Sequence, residues 1–163
     1  GLQKFVGEQF ARLFSELYGL PVVCLRYFNV YGPRIDFASD YSLVLGKFLR
    51  QRSEGKPLTI YGDGKQTRGF CYVDDVVAAT QKAMISPKIQ GGEVINVGQS
   101  TANSVEELAR LIGGSMRYLP PRLGDVRHTK ADFSRAKLLL GWKPTVSFQE
   151  GVRRTQKWFK KND

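Results

Sequence analysis

Apolar and polar positions alternate between helix-like and strand-like stretches. Over Leu2–Tyr18, Phe10, Leu13, Phe14 and Leu17 recur at the i, i+3, i+4, i+7 spacing of one helix face. Gly19 ends that helix and Pro21 follows. Val22, Val23, Cys24 and Leu25 form a continuous apolar run, the pattern of a strand covered on both faces, as in a parallel sheet. Beyond it the character changes. Arg26, Tyr27, Asn29 and Tyr31 bring hydrogen-bonding groups to the strand's carboxyl end, and Gly32-Pro33 stops the element. Asp36–Asp40 reads as a polar loop. Tyr41–Arg52 predicts a helix with Leu45, Phe48 and Leu49 on its apolar face, broken by Gly55 and Pro57. Leu58–Tyr61 and Gly69–Val73 predict two strands in a hairpin-like connection across Gly62-Asp63-Gly64.

Asp74-Asp75 opens the next helix, which runs to about Ile85. The two carboxylates suit a first turn and its macrodipole better than a metal or acid/base pair. Glu93–Val97 predicts a further parallel strand. Ser104 and Glu107 have capping-box spacing ahead of Leu108, Leu111 and Ile112. Met116–Leu119 reads as a short strand and Asp132–Leu140 as a short helix closed by Gly141. Ser147 and Glu150 repeat the capping-box spacing before a last helix that places Val152 and Trp158-Phe159 against the body.

Composition narrows the class. With 163 residues, 42% apolar and 25% charged, the chain can fold as one globular domain with a real core. No apolar run approaches a membrane span, and no secretory leader is visible. The first residue is Gly1, so a fragment or processed product is expected. Cys24 and Cys71 lie in strand-like runs without metal-ligand spacing, which predicts buried free thiols in a reducing, cytoplasmic setting and no metal. A net charge of +10 permits a nucleic-acid partner, but the cations are dispersed. Their densest group, Arg153, Arg154, Lys157, Lys160 and Lys161, fits a solvated helix face, so no nucleic-acid or membrane partner is expected. His128 is the only histidine; it has no evident partner and no catalytic assignment.

Candidate chemistry gathers after the first strand, because ligands of open α/β sheets sit outside strand carboxyl ends. RYFNVYGP there resembles the segment after the catalytic helix of the extended short-chain dehydrogenases, the NAD-dependent sugar-nucleotide epimerases and dehydratases. PLTIYGDGKQTRGFCYVDDVV closely resembles that family's PLxIYGDGxQxRDFxYVDDV, and ADFSRAKLLLGWKPTVSFQEGV resembles its ending. PPRLGDVRH is most similar to the UDP-glucose and UDP-N-acetylglucosamine 4-epimerases; the 4,6-dehydratases and UDP-glucuronate decarboxylases generally differ there. The resemblance implies the carboxyl-terminal part of a Rossmann-like, doubly wound parallel sheet plus a small mixed α/β substrate-binding subdomain. The sheet parts would be about 1–34 and 74–113, and the subdomain about 35–73 and 114–163. The family's amino-terminal NAD-binding half, with its glycine-rich loop, would be absent.

By this resemblance GLQKFVGEQ follows a YxxxK motif whose tyrosine would stand immediately before Gly1. Lys4 would then be the catalytic lysine and a cofactor contact. Read without the resemblance, it is a solvated surface residue. Tyr27 and Phe28 would lie near the nicotinamide. Asn29, Val44, Lys47, Phe48, Thr59, Tyr61, Arg68, Arg122 and Asp125 would hold a UDP-sugar substrate. For Val44 and Phe48, core packing accounts for the pattern equally well; for Arg122 and Asp125, so does a local ion pair. Arg68 suits a diphosphate because a guanidinium fork matches phosphate oxygens. Asp125 suits two ribose hydroxyls because a carboxylate accepts both. The family usually has aspartate after the arginine, where this chain has Gly69.

In such enzymes the tyrosine takes the proton of the sugar's C4 hydroxyl, and the hydride passes to NAD+ and returns on the other face. The lysine favours the ionised tyrosine. The expectation is therefore a nucleotide-sugar 4-epimerase, homodimeric at full length, with this piece alone inactive. A 4,6-dehydratase, a 4-keto reductase and a non-catalytic nucleotide-binding half-domain remain open beside it.

Overall fold

The computed structural model describes residues 1–35 and 44–162. The expected polar loop at 36–40 and the first turn of the helix expected from Tyr41 lie outside the described residues. In chain order the elements are α1 (Leu2–Tyr18), β1 (Val23–Tyr27), β2 (Val30–Tyr31), α2 (Val44–Ser53), β3 (Leu58–Tyr61), β4 (Thr67–Arg68) and β5 (Cys71–Tyr72). There follow α3 (Val73–Ile85), β6 (Glu93–Val97), β7 (Asn103–Ser104), α4 (Val105–Ile112), β8 (Met116–Leu119), β9 (His128–Thr129), α5 (Ser134–Leu140) and α6 (Phe148–Asn162).

The pairing is mostly parallel, as the apolar runs imply. β1 pairs with β6, β2 with β5 and β3 with β8, all parallel. β4 lies between antiparallel β7 and parallel β9. The expected hairpin between 58–61 and 69–73 does not form. β3 takes β8 as its partner, and the chain after Tyr61 splits into β4 and β5 in separate sheets. Gly62 and Gly64 turn the chain with φ of 69° and 73°, sending it away from β3 instead of back along it.

Two apolar cores result among the described residues. One packs α2, α4 and α6 with β3, around Tyr31, Phe48, Leu58, Ile60, Leu108 and Val152. The other packs α3 and α5 on β1 and β6, around Cys71, Val76, Ala79, Ile95, Val97 and Trp142. This differs from the boundaries expected from sequence: α4 belongs with the first core and α5 with the sheet. Asp75 ties the cores together. It is 4% exposed, and its Oδ1 accepts from Thr145 N at 2.9 Å and Thr145 Oγ1 at 2.7 Å. Its Oδ2 accepts from Val146 N at 3.0 Å, and Trp142 Nε1 donates to its carbonyl at 2.9 Å. The helix-dipole reading of Asp74-Asp75 therefore describes only exposed Asp74.

Local signals read from sequence reappear where the atoms are local. The Ser104–Glu107 capping box forms in both directions, and Gly19 and Gly141 adopt left-handed C-caps. The second capping box is half made. Ser147 Oγ accepts from Glu150 N at 3.3 Å, but the Glu150 carboxylate pairs with Arg153 and Arg154. Val152 and Phe159 are buried as expected.

Three expectations of burial are corrected. Phe10, Leu13, Phe14 and Leu17 of α1 are 44–64% exposed, so its apolar face is real but uncovered among the described residues. β1 is half-buried, with Arg26 and Tyr27 exposed, because β6 is its only strand neighbour among the described residues. Cys24 is only partly buried; Cys71 is fully buried, and burial pushes its thiol up to about 12. No described helix is long and apolar enough to cross a membrane, and no described cluster of three metal-ligating side chains exists.

Tyr31 anchors α6. Its ring is 2% exposed and its hydroxyl donates to Phe148 O at 3.2 Å. A Cβ on Gly151 would lie 2.1 Å from that hydroxyl oxygen. Tyr31→Phe is expected to cost about 1 kcal/mol for the lost hydrogen bond. Gly151→Ala should be more damaging in the wild type than in the Tyr31→Phe background. A double-mutant cycle of urea midpoints measures this; strict additivity would contradict the packing argument.

Candidate functional site

Beyond the carboxyl end of β3, three segments converge. α2 brings Lys47, β3 ends in Tyr61, and the loop from β8 to β9 brings Arg122 and Asp125. Arg122 lays its guanidinium over the Tyr61 ring, 3.7 Å from the centroid, and Lys47 Nζ sits 5.1 Å from the same centroid. The Arg122 guanidinium beside the phenol, aided by the Lys47 charge, holds Tyr61 below the ordinary tyrosine range. The result is a positively charged platform with an aromatic floor.

Arg68 enters from β4. Its Nη2 is 2.6 Å from Asp125 Oδ1, and its Nη1 donates to Thr67 O at 2.9 Å. The local ion pair weighed for Asp125 is therefore present, but its partner is Arg68 and not Arg122. This pair supplies a carboxylate to Arg68 although the next residue is Gly69 where the resembled family has aspartate. The acidic neighbour that orients Arg68 comes from across the β4–β9 bridge. A side chain at Gly69 would not fit: an added Cβ would stand 2.6 Å from Gln99 O and 3.2 Å from Lys130 Cα.

The loop carrying Arg122 and Asp125 is fastened at its far end. Arg127 makes two bonds to Asp63, of 2.7 and 2.8 Å, and draws the Asp63 carboxyl well below the usual carboxylate range. Thr67 Oγ1 lies 2.9 Å from His128 Nδ1, so the lone histidine does have a partner. Asn29, held at φ 43°, reaches the same edge: its Nδ2 is 3.5 Å from Gly69 O and 3.4 Å from Thr129 Oγ1. Thr67 and Thr129 lie in two-residue strands that show no alternation, and Asp63 and Arg127 are 64 positions apart, so the pattern assigned none of these contacts.

Other expected site residues lie elsewhere. Phe48 is fully buried in the first core and Val44 packs against it, so the packing alternative describes both. Thr59 is bridged by the Gln51 side chain, which donates to Thr59 Oγ1 at 2.8 Å and accepts from Thr59 N at 3.0 Å. Lys4 is exposed in the first turn of α1. Tyr27 is 51% exposed, its hydroxyl 2.9 Å from Thr80 Oγ1. Phe28 packs against Gly98, where an added Cβ would come within 2.7 Å of Phe28 Cβ. Tyr27 and Phe28 stand at the carboxyl end of β1, Tyr27 exposed and Phe28 half-buried, and no GxGxxG occurs in the chain.

The chain is 40% identical over 162 residues to the UDP-glucuronate 4-epimerase of Thermodesulfobacterium geofontis, covering 95% of the chain and 48% of that protein. It is 38% identical over 158 residues to the UDP-N-acetyl-alpha-D-glucosaminuronate decarboxylase of Bacillus cytotoxicus, covering 88% and 48%. The crystal structure of UDP-glucose 4-epimerase from Thermotoga maritima with UDP-glucose superposes with a TM-score of 0.92 at 38% identity, over 99% of this chain and 53% of that one. The chain thus spans about half the length of the relatives it matches. The model of the NAD dependent epimerase/dehydratase family matches residues 1–98, and the chain belongs to that family.

Proposed function

We propose that this chain is the nucleotide-sugar-holding half of an NAD-dependent UDP-sugar 4-epimerase. The observation that carries the reading is a pair of groups, Lys47–Tyr61–Arg122 and Arg68–Asp125, joined by the loop in which Asp125 N donates to Arg122 O at 3.3 Å. In this reading Arg68 and Arg122 grip the diphosphate, whose negative oxygens match two guanidinium forks. Asp125 accepts the ribose hydroxyls, and Asn29 faces the diphosphate-sugar side. Lys4 raises the ionised fraction of a tyrosine supplied one helical turn before it, and Tyr27 and Phe28 flank the nicotinamide. NAD, when bound, supplies the hydride acceptor and donor. The remaining sequence of the full-length enzyme covers the apolar face of α1 and the open flank of β1, with a second copy completing a dimer.

A decarboxylase is the second reading, because a relative of that activity is 38% identical. Both reactions begin by oxidising the sugar at C4, so product analysis with the full-length protein separates them. For this chain, calorimetric titration should detect UDP binding without sugar turnover. Arg122→Ala should weaken UDP about tenfold, the loss of one charge-assisted contact. Failure to bind UDP would remove the nucleotide reading, and turnover by this chain alone would show that Lys4 has been misassigned.

A further inference from the structure

Arg68 and Asp125 serve different parts of one ligand in the reading above, yet here they hold each other. The pair is 2.6 Å long, with side chains 17% and 38% exposed. The other arm of the guanidinium is engaged by Thr67 O at 2.9 Å and reaches Arg127 O at 3.4 Å. A phosphate that takes both arms of Arg68 must therefore displace Asp125. A ribose diol that takes both carboxylate oxygens must likewise displace Arg68. Arg122 presents no such conflict: it rests on the Tyr61 ring and has no acidic partner among the described residues. The loop also has anchors that a ligand need not touch, the Arg127–Asp63 pair and the Thr67–His128 contact. Asp125 can leave Arg68 without the loop leaving β4.

We infer that Arg68–Asp125 is an exchange pair: a diphosphate withdraws Arg68 and so frees Asp125 for the ribose, making the two parts of a nucleoside diphosphate bind with positive coupling. The inference rests on the nucleotide-holding reading of this site. Its thermodynamic basis is simple. Uridine alone must break the pair, and so must pyrophosphate alone, but together they break it once. By linkage, each then raises the other's affinity by the same factor.

Calorimetry on the wild-type chain with UDP, uridine, inorganic pyrophosphate, and uridine at saturating pyrophosphate tests this. Pyrophosphate should tighten uridine about threefold to fivefold, the range of a half-exposed ion pair. Asp125→Asn should bind pyrophosphate tighter by a similar factor, bind UDP more weakly, and show no coupling. If the wild type binds UDP while uridine and pyrophosphate bind independently or compete, the exchange is wrong and the site reading stands. Unchanged or weaker pyrophosphate binding by Asp125→Asn overturns the exchange in the same way. Absence of UDP binding by the wild type overturns both. Should the variant not fold, the wild-type coupling measurement decides alone.

Discussion

Asp75→Ala is expected to lower stability by about 3 kcal/mol, because it removes three hydrogen bonds to a buried carboxylate. Thr145 N, Thr145 Oγ1 and Val146 N all point at Asp75, which is 4% exposed. The position also sits at a junction. Asp75 belongs to α3 in the sheet-side core, while 142–146 leads from α5 into α6 of the other core. Trp142 reinforces the joint through the Asp75 carbonyl. Loss of the carboxylate should therefore lower the melting temperature by about 10 °C for a chain of this size. Asp75→Asn should fall between the two. Its oxygen can stay with Thr145, but its NH2 must face Val146 N–H, donor against donor. Asp74→Ala is the control: exposed Asp74 has only a 3.7 Å pair with Arg154, and its loss should stay within about 0.5 kcal/mol. Equal melting temperatures for Asp75→Ala and Asp74→Ala would sink the argument.

The contrast between those two aspartates shows how far the sequence reading reaches. Side by side at a helix start, both fit the dipole, which is a local property. What distinguishes Asp75 is a partner segment 70 positions away. The Ser104–Glu107 box, by contrast, was legible because every atom of it lies within one turn. The hairpin failed for the same reason that Asp75 was missed: glycine turns indicate that the chain bends, but not which strand it next meets, and β3 meets β8. Motif resemblance brought Lys47, Tyr61, Arg68, Arg122 and Asp125 into view; the fold sets Lys47 and Arg122 over Tyr61 and pairs Arg68 with Asp125. It could not reveal that Arg68 and Asp125, 57 positions apart, would pair with each other. Nor could it separate Phe48 from the site, since an apolar residue on a helix face looks the same whether it meets a ligand or a core.

Gly69→Asp, which installs the residue common in the resembled family, should damage both fold and site. The limitation is space. The Cβ would press on two backbone groups, Gln99 O at 2.6 Å and Lys130 Cα at 3.2 Å, and neither can rotate aside as a side chain would. Gly69 N donates to Thr129 O at 2.7 Å and Ala131 N donates to Gln99 O at 2.9 Å, so the three segments are bonded tightly together here. Gly69→Ala is expected to cost about 2 kcal/mol from overpacking. The aspartate should cost more, because its carboxylate would enter beside the carbonyls of Gln99 and Thr101 with no donor supplied. The functional consequence follows from position. Relief of the clash requires β4 to move off the 129–131 segment, and the β4–β9 bridge is what sets Arg68 opposite Asp125. UDP affinity should therefore fall along with stability, and fall in Gly69→Ala too, although alanine introduces no charge. Urea denaturation paired with UDP titration measures both. A Gly69→Asp protein as stable as wild type and binding UDP more tightly would mean that Arg68 still needs its neighbour's carboxylate, and that Asp125 does not take that neighbour's place.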